Sequence, residues 1–122
     1  MAAERRWTIT VAGRTYENVL GLRFTPKVRH VRGGRMPINV TVSMTANNVL
    51  VGSVQGTITY EGQMITMSSI DWYPTAPGTY TLVFRAQAVD VDGRTGSAQT
   101  SLVATVEEYV GAPEIEIIVE LA

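Results

Sequence analysis

The chain has 122 residues, no cysteine, one histidine and a formal net charge of −1, and this length fits one domain with one core. A hydrophobic content of 45% excludes a chain disordered by composition, the missing cysteines exclude disulfide frameworks and thiolate zinc sites, and no apolar run approaches the ~20 residues that span a bilayer. The charge is segregated, because residues 1–35 contain eight basic and two acidic side chains, whereas residues 36–122 contain two basic and nine acidic ones.

The first elements in the chain are predicted strands. Trp7, Ile9 and Val11 alternate with threonines, and Ala12-Gly13 marks a turn into residues 14–20, so the pattern predicts an N-terminal β-hairpin. Residues 22–24 predict a short strand that ends before Pro26.

A basic segment follows, with its charges spaced around a Gly-Gly pair. Three interpretations are open: a solvated loop, a nucleic-acid contact, or a protein-docking surface, which arginine favours because it pairs bidentately with carboxylates. An isoelectric point near 5.8 argues against a polyanion as partner, so we expect no nucleic acid. The candidate interface residues are Arg23, Lys27, Arg29, Arg32 and Arg35.

The middle of the chain alternates between apolar and polar residues, which is the period of half-buried strands. The pattern predicts strands over residues 38–45, 49–51, 54–60, 64–70, 79–89 and 97–106, separated by turn signals such as Glu61-Gly62. No segment longer than about seven residues shows a helical period. The strand count and the turn spacing therefore predict an all-β sandwich or barrel.

The last segment also alternates, with Ile115, Ile117, Val119 and Leu121 on one face. The opposite face carries three more candidate interface residues, Glu114, Glu116 and Glu120. This pattern predicts a C-terminal strand, and an unpaired strand with such an apolar face would be an aggregation hazard. We therefore expect it to pair, either with the N-terminal hairpin of its own chain or with a neighbouring subunit's sheet.

Residues 77–93 resemble the penultimate strand of bacterial and phage immunoglobulin-like domains. The resemblance lies in the Gly78-Thr79-Tyr80 step, the strand that follows it, and the Asp90-Val91-Asp92-Gly93 turn. It implies that Tyr80 forms the tyrosine corner and that Leu82 stands where antibody domains place their second cysteine, with Phe84 next on the same face. The implied fold is an immunoglobulin-like β-sandwich over residues 20–110, with an N-terminal hairpin extension (1–19) and a C-terminal strand (111–122). The sequence departs from the antibody pattern because it has no cysteine pair and no tryptophan on the expected third strand.

Few residues suggest chemistry. Asp90 and Asp92 are candidate calcium ligands or a hairpin turn. Trp72 and Tyr73 are candidates for ligand stacking or for capping the core. His30 lies among cations and is expected to be a surface loop residue that neither binds metal nor catalyses. We expect no enzyme activity and no cofactor, because no second histidine, cysteine or nucleotide-binding motif is present.

These features favour a non-enzymatic structural virion protein, a head-decoration or tail-associated subunit whose partners are further copies of itself or a viral capsid or tail protein. No apolar segment follows the charges of the N-terminus, so we expect no secretory signal, no membrane partner and synthesis in the host cytoplasm. The alternative is an adhesive or carbohydrate-binding module of a secreted or surface protein.

Overall fold

The computed structural model describes residues 5–121, and these residues form ten β-strands and no helix. The prediction of an all-β fold is confirmed. No helix within the described range is therefore long and apolar enough to cross a membrane. In chain order the strands are β1 (Trp7–Val11), β2 (Arg14–Val19), β3 (Leu22–Phe24), β4 (Lys27–Arg29), β5 (Ile38–Ala46), β6 (Val49–Ile58), β7 (Met64–Thr66), β8 (Ile70–Trp72), β9 (Gly78–Val89) and β10 (Thr95–Glu108).

Six strands form one antiparallel sheet in the order β2-β1-β10-β9-β5-β6. The hairpins β1–β2, β5–β6 and β9–β10 supply consecutive pairs, and the first hairpin joins the last strand, with Trp7 opposite Glu108. The four short strands form two further antiparallel pairs, β3–β8 and β4–β7. These pairs continue one another, and we call them together the short ribbon. At the break between them, the Met67 amide donates to the Pro26 carbonyl over 2.8 Å.

The core lies between the large sheet and the short ribbon. Alternate residues of the sheet, such as Ile9, Met44 and Leu82, are fully buried and form one core cluster with Ile70 and Trp72 of the ribbon. A second cluster joins β5 and β6 to the other half of the ribbon; its buried members are Ile38, Val40, Val42, Ile58 and Met67. The period-2 pattern of the sequence thus sorts side chains toward this shared interior, as half-buried strands require.

The N-terminal hairpin contributes to the core. β1 pairs with β10 along its whole length, and Trp7, Ile9 and Val11 are 2%, 0% and 6% exposed within the same cluster as Leu82. The hairpin was expected as an extension outside a core of residues 20–110. Within residues 5–19 the buried β1 side chains belong to the same core cluster as Leu82, and residues 1–4 of the predicted extension lie outside the described residues.

The prediction of a C-terminal strand is wrong for the isolated chain. Residues 109–121 form no strand in the structure. Alternation provides a segment with an apolar face, but a strand also needs a neighbour for its backbone hydrogen bonds. β10 already has β1 on one side and β9 on the other, so the sheet offers residues 109–121 no place beside the strand that precedes them.

Candidate interaction surface

Three of the five predicted basic residues lie open on one surface. Lys27 and Arg29 point outward from β4 while Val28 between them points inward, and Arg32 lies in the exposed loop that follows. None of these three cations forms an ion pair with a carboxylate in residues 5–121. We call Lys27, Arg29 and Arg32 the basic edge. It is available to the carboxylates of a partner.

The other two basic residues are engaged within the chain. Arg23 lies directly across from Asp71 in the β3–β8 pair, and its Nε and Nη2 donate to the two carboxylate oxygens over 2.7 and 3.3 Å. These hydrogen bonds lower the pKa of Asp71 and raise the pKa of Arg23. Arg35 reaches Asp92, with Nη1 3.6 Å from Oδ2. Both pairs are on the surface, where such contacts contribute little stability.

His30 holds the basic loop against the rest of the chain. Its Nδ1 accepts a hydrogen bond from the Gly62 amide over 3.1 Å, and its Nε2 donates to the Gly33 carbonyl over 2.7 Å. The side chain is buried, with 7% exposure. The prediction that His30 is a surface residue is therefore wrong, because the distant Gly62 amide is a partner for one ring nitrogen and the Gly33 carbonyl of its own loop is a partner for the other.

The Asp90 carboxylate organises the turn before β10. One oxygen accepts from the amides of Asp92 and Arg94, and the other from the Arg35 amide and the Arg94 guanidinium, over 2.7–3.0 Å. The hydrogen bond from Arg94, helped by the three amides, lowers the pKa of Asp90 well below its usual range. Both oxygens are thus occupied by the chain itself, as a structural turn requires. Residues 5–121 contain no group of three or more histidines and acids placed to hold a metal ion.

Of the two predicted stacking residues, only Tyr73 is accessible. Trp72 is 4% exposed, and its ring meets Tyr80 edge-on with centroids 5.2 Å apart, so it offers no open face to a ligand. Tyr73 is 63% exposed. It lines a shallow depression of about 460 Å³ together with Asn47 and Pro74.

The three residues predicted to determine the fold lie in a row along β9. The Tyr80 hydroxyl donates to the Ala76 carbonyl four residues upstream over 2.6 Å. Leu82 has no exposed surface, and Phe84 packs edge-on against Phe24 with ring centroids 5.5 Å apart. Tyr80 thus ties the loop before β9 to the start of the strand.

The residues after Tyr109 form an exposed segment that we call the tail (residues 110–121). Its five large apolar side chains between 115 and 121 are 76–97% exposed, and Glu114, Glu116 and Glu120 are exposed beside them. Large apolar side chains exposed together in this way are unusual on a folded chain, which buries most of its large apolar side chains.

A groove of about 410 Å³ runs beside the basic edge. Residues 24–29 form one wall, and its floor is the inner face of the large sheet at Phe84, Ala86, Ala98 and Leu102. The alternation of apolar and polar residues in the sequence does not predict this groove. The small side chains of Ala86 and Ala98, which lie opposite each other in β9 and β10, leave the sheet shallow there.

Comparison with known protein families, with curated proteins and with solved structures found no match to this chain.

Proposed function

We propose that the chain is a non-enzymatic structural subunit that assembles through protein–protein contacts. The tail carries this proposal, because Ile115, Ile117, Ile118, Val119 and Leu121 stay 76–97% exposed on a chain whose core is complete without them. Large apolar side chains left in water cost free energy that association recovers. The basic edge adds a charged surface of the opposite sign to the glutamates of the tail.

We further assign the domain to the immunoglobulin-like class. The order β10-β9-β5-β6 matches the last, penultimate, third and additional strands of the variable-type sheet, and the β3–β8 pair matches two strands of the opposing sheet. The Tyr80 hydroxyl bonded to the Ala76 carbonyl has the form of a tyrosine corner. The short ribbon has only two strands across, fewer than the second sheet of that class contains.

The setting we propose is a virion. The chain would be made in the host cytoplasm and then assembled onto the viral head as a decoration protein or onto the viral tail. Small single domains with one charged docking face suit repeated attachment to a particle. In this arrangement the basic edge meets carboxylates of another copy of the chain, or carboxylates of a protein in the viral capsid or the viral tail. Its exposed arginines favour bidentate pairing with carboxylates.

A second candidate function is an adhesive or carbohydrate-binding module on a secreted or surface protein. The observation that favours it is Tyr73, which stands 63% exposed at a shallow depression where one ring can stack on a sugar. Binding on a glycan array that is lost in Tyr73→Ala would support this candidate.

Two measurements test the assembly proposal. Sedimentation velocity and light scattering over a wide range of protein concentration detect self-association, and co-sedimentation with the virus particles of the source detects binding to the virion. We expect a concentration-dependent oligomer or particle-bound protein. A strict monomer that also ignores the particle would overturn the proposal.

A further inference from the structure

One edge of the short ribbon has unpaired backbone groups. Residues 26 and 30 bond toward β7, through the Pro26 carbonyl to Met67 and the His30 amide to Gln63, each over 2.8 Å. Successive residues of an antiparallel strand direct their backbone groups to opposite sides. The amides and carbonyls of Lys27 and Arg29 therefore point to the other side, where no strand within residues 5–121 pairs with β4. Such an edge is a template for an added strand.

The groove lies along this same edge. Its lining contains residues 24–29 and none from β7 or β8, which instead lie beside β6. Its floor is mostly apolar: it is shallow at Ala86 and Ala98, is bounded by Phe84 and Leu102, and includes one polar side chain, Thr100. A strand placed at the edge of β4 would thus direct every second side chain onto an apolar floor with room for branched residues.

The tail has the pattern that this place requires. In an extended strand Ile115, Ile117, Val119 and Leu121 share one face, and the glutamates share the other. With the apolar face on the groove floor, the glutamates stand on the outer side, level with the outward side chains of Lys27 and Arg29. Cross-strand neighbours on one face are about 5 Å apart, a distance at which these charges attract.

We propose that residues 115–121 of one copy dock as an added strand along the β4 edge of a second copy. This inference rests on the proposed function and names the partner of the basic edge. Each copy would then contribute one tail and one groove. Contacts of this head-to-tail kind build rings or extended arrays.

A second copy fits better than the tail's own chain. The tail follows Glu108 at the far end of β10, whereas the floor is formed near its start, at Ala98 and Leu102. Leu102 and Glu108 are six positions apart in β10, which is about 20 Å of strand. Residues 109–114 would have to reverse direction and span all of that distance, while a second copy needs no reversal.

The first experiment compares Ile117→Glu with Ile118→Glu by sedimentation velocity. The two variants make the same change on opposite faces of one strand, and both lie outside the folded core. We expect Ile117→Glu to raise the Kd of assembly at least about tenfold, because it puts a charge on the apolar floor, and Ile118→Glu to have a much smaller effect. Equal losses, or none, would overturn the docking geometry.

The second experiment fills the groove. Ala98→Trp should abolish assembly, while Ser101→Trp, on the opposite face of the same strand, should leave it intact; thermal melts check that both variants fold. A mixture of Ile117→Glu and Ala98→Trp should then form a heterodimer, since each variant retains one working surface. A mixture that stays monomeric would contradict head-to-tail docking.

Because the chain has no cysteine, crosslinking identifies the occupant. Chains carrying only Val28→Cys, the inward-facing position of β4, are oxidised with chains carrying only Ile115→Cys, Ile117→Cys or Val119→Cys, because an added strand would lie directly beside Val28. A disulfide-linked dimer for at least one position supports docking between copies, as the bond requires Cα atoms within about 7 Å. An internal crosslink in the double variant without any dimer assigns the groove to the chain's own tail and overturns the proposal. If all these variants still assemble or bind particles like the wild type, the docking mode is overturned but the proposed function is not. If the wild type neither assembles nor binds particles, the proposed function is overturned as well.

Discussion

The Asp90 carboxylate shows how one buried acid can fix a turn. It accepts four hydrogen bonds from Arg35, Asp92 and Arg94, and they lower its pKa in the folded chain below the ordinary 3.8. A depressed folded-state pKa stabilises the fold at pH values above the unfolded-state pKa, and this contribution disappears as the pH falls through the folded-state value.

We predict that Asp90→Asn lowers the melting temperature at pH 7, because an amide lacks the charge that these donors face. The variant should also lose less stability than the wild type between about pH 5 and pH 2, since the titrating group is gone. Asp92→Asn, whose carboxylate is half-exposed, is the control and should have a smaller effect. Thermal melts across this pH range measure both. Parallel acid profiles for wild type and Asp90→Asn would contradict the assignment.

The Tyr80 hydroxyl makes a second single-residue contribution. Tyr80→Phe removes the 2.6 Å hydrogen bond to the Ala76 carbonyl and leaves the ring contact with Trp72. We expect a loss of about 1 kcal/mol in the free energy of unfolding, the usual net value of one such bond. Urea unfolding measures it, and Tyr73→Phe, with its exposed ring, should stay within about 0.5 kcal/mol of the wild type. Equal stability for the two variants would argue against a tyrosine corner.

At the scale of elements, the two ends of the chain look alike in sequence and behave differently in the structure. Ile9 on β1 is fully buried between the sheet and the ribbon, whereas Ile117 in the tail is 83% exposed. We predict that Ile9→Ala lowers the free energy of unfolding by about 2–5 kcal/mol, the range for a buried isoleucine. Ile117→Ala should change it by less than about 0.5 kcal/mol in dilute solution. Urea unfolding compares the two, and a large loss in Ile117→Ala would show that the tail packs on its own chain.

The same contrast explains what the sequence predicts and what it does not. Alternation is a local property, so it predicted that Leu82 and Ile9 face inward. The resemblance at Gly78-Thr79-Tyr80 to immunoglobulin-like domains implies a hydrogen bond from Tyr80 to nearby backbone, and the Tyr80 hydroxyl donates to the Ala76 carbonyl. Alternation does not say whether a strand finds a partner, because Ile9 and Ile117 carry the same pattern and only β1 has β10 beside it.

Other parts of the surface depend on residues far apart in the chain. His30 is buried because the Gly62 amide reaches its Nδ1 across 32 residues of sequence. Trp72 is buried because β8 lies over the large sheet, a placement that its own neighbours in sequence do not encode. The groove exists because the ribbon covers only part of that sheet, leaving Ala86 and Ala98 beside an open edge. These features require the tertiary arrangement and could not be derived from periodicity.

For the whole molecule, the near-zero net charge conceals two surfaces of opposite sign. The basic edge lies on the short ribbon, and the tail with its glutamates begins beyond the far end of β10. Opposite charges at separate places on one molecule cannot neutralise each other within it, but they can do so between copies. They also set the orientation of approach, because like surfaces repel.

Charge reversal at the basic edge tests this arrangement. We predict that Arg29→Glu combined with Arg32→Glu raises the Kd of assembly or of particle binding at least about tenfold, which is about 1.4 kcal/mol, and makes the remaining binding less sensitive to salt. The melting temperature should change little, because neither arginine forms an ion pair within residues 5–121. Arg14→Glu combined with Arg85→Glu makes the same change in net charge elsewhere and should weaken assembly far less. Sedimentation velocity and thermal melts on both pairs separate the outcomes: equal weakening would indicate general repulsion, and a lower melting temperature in the first pair would make those arginines structural.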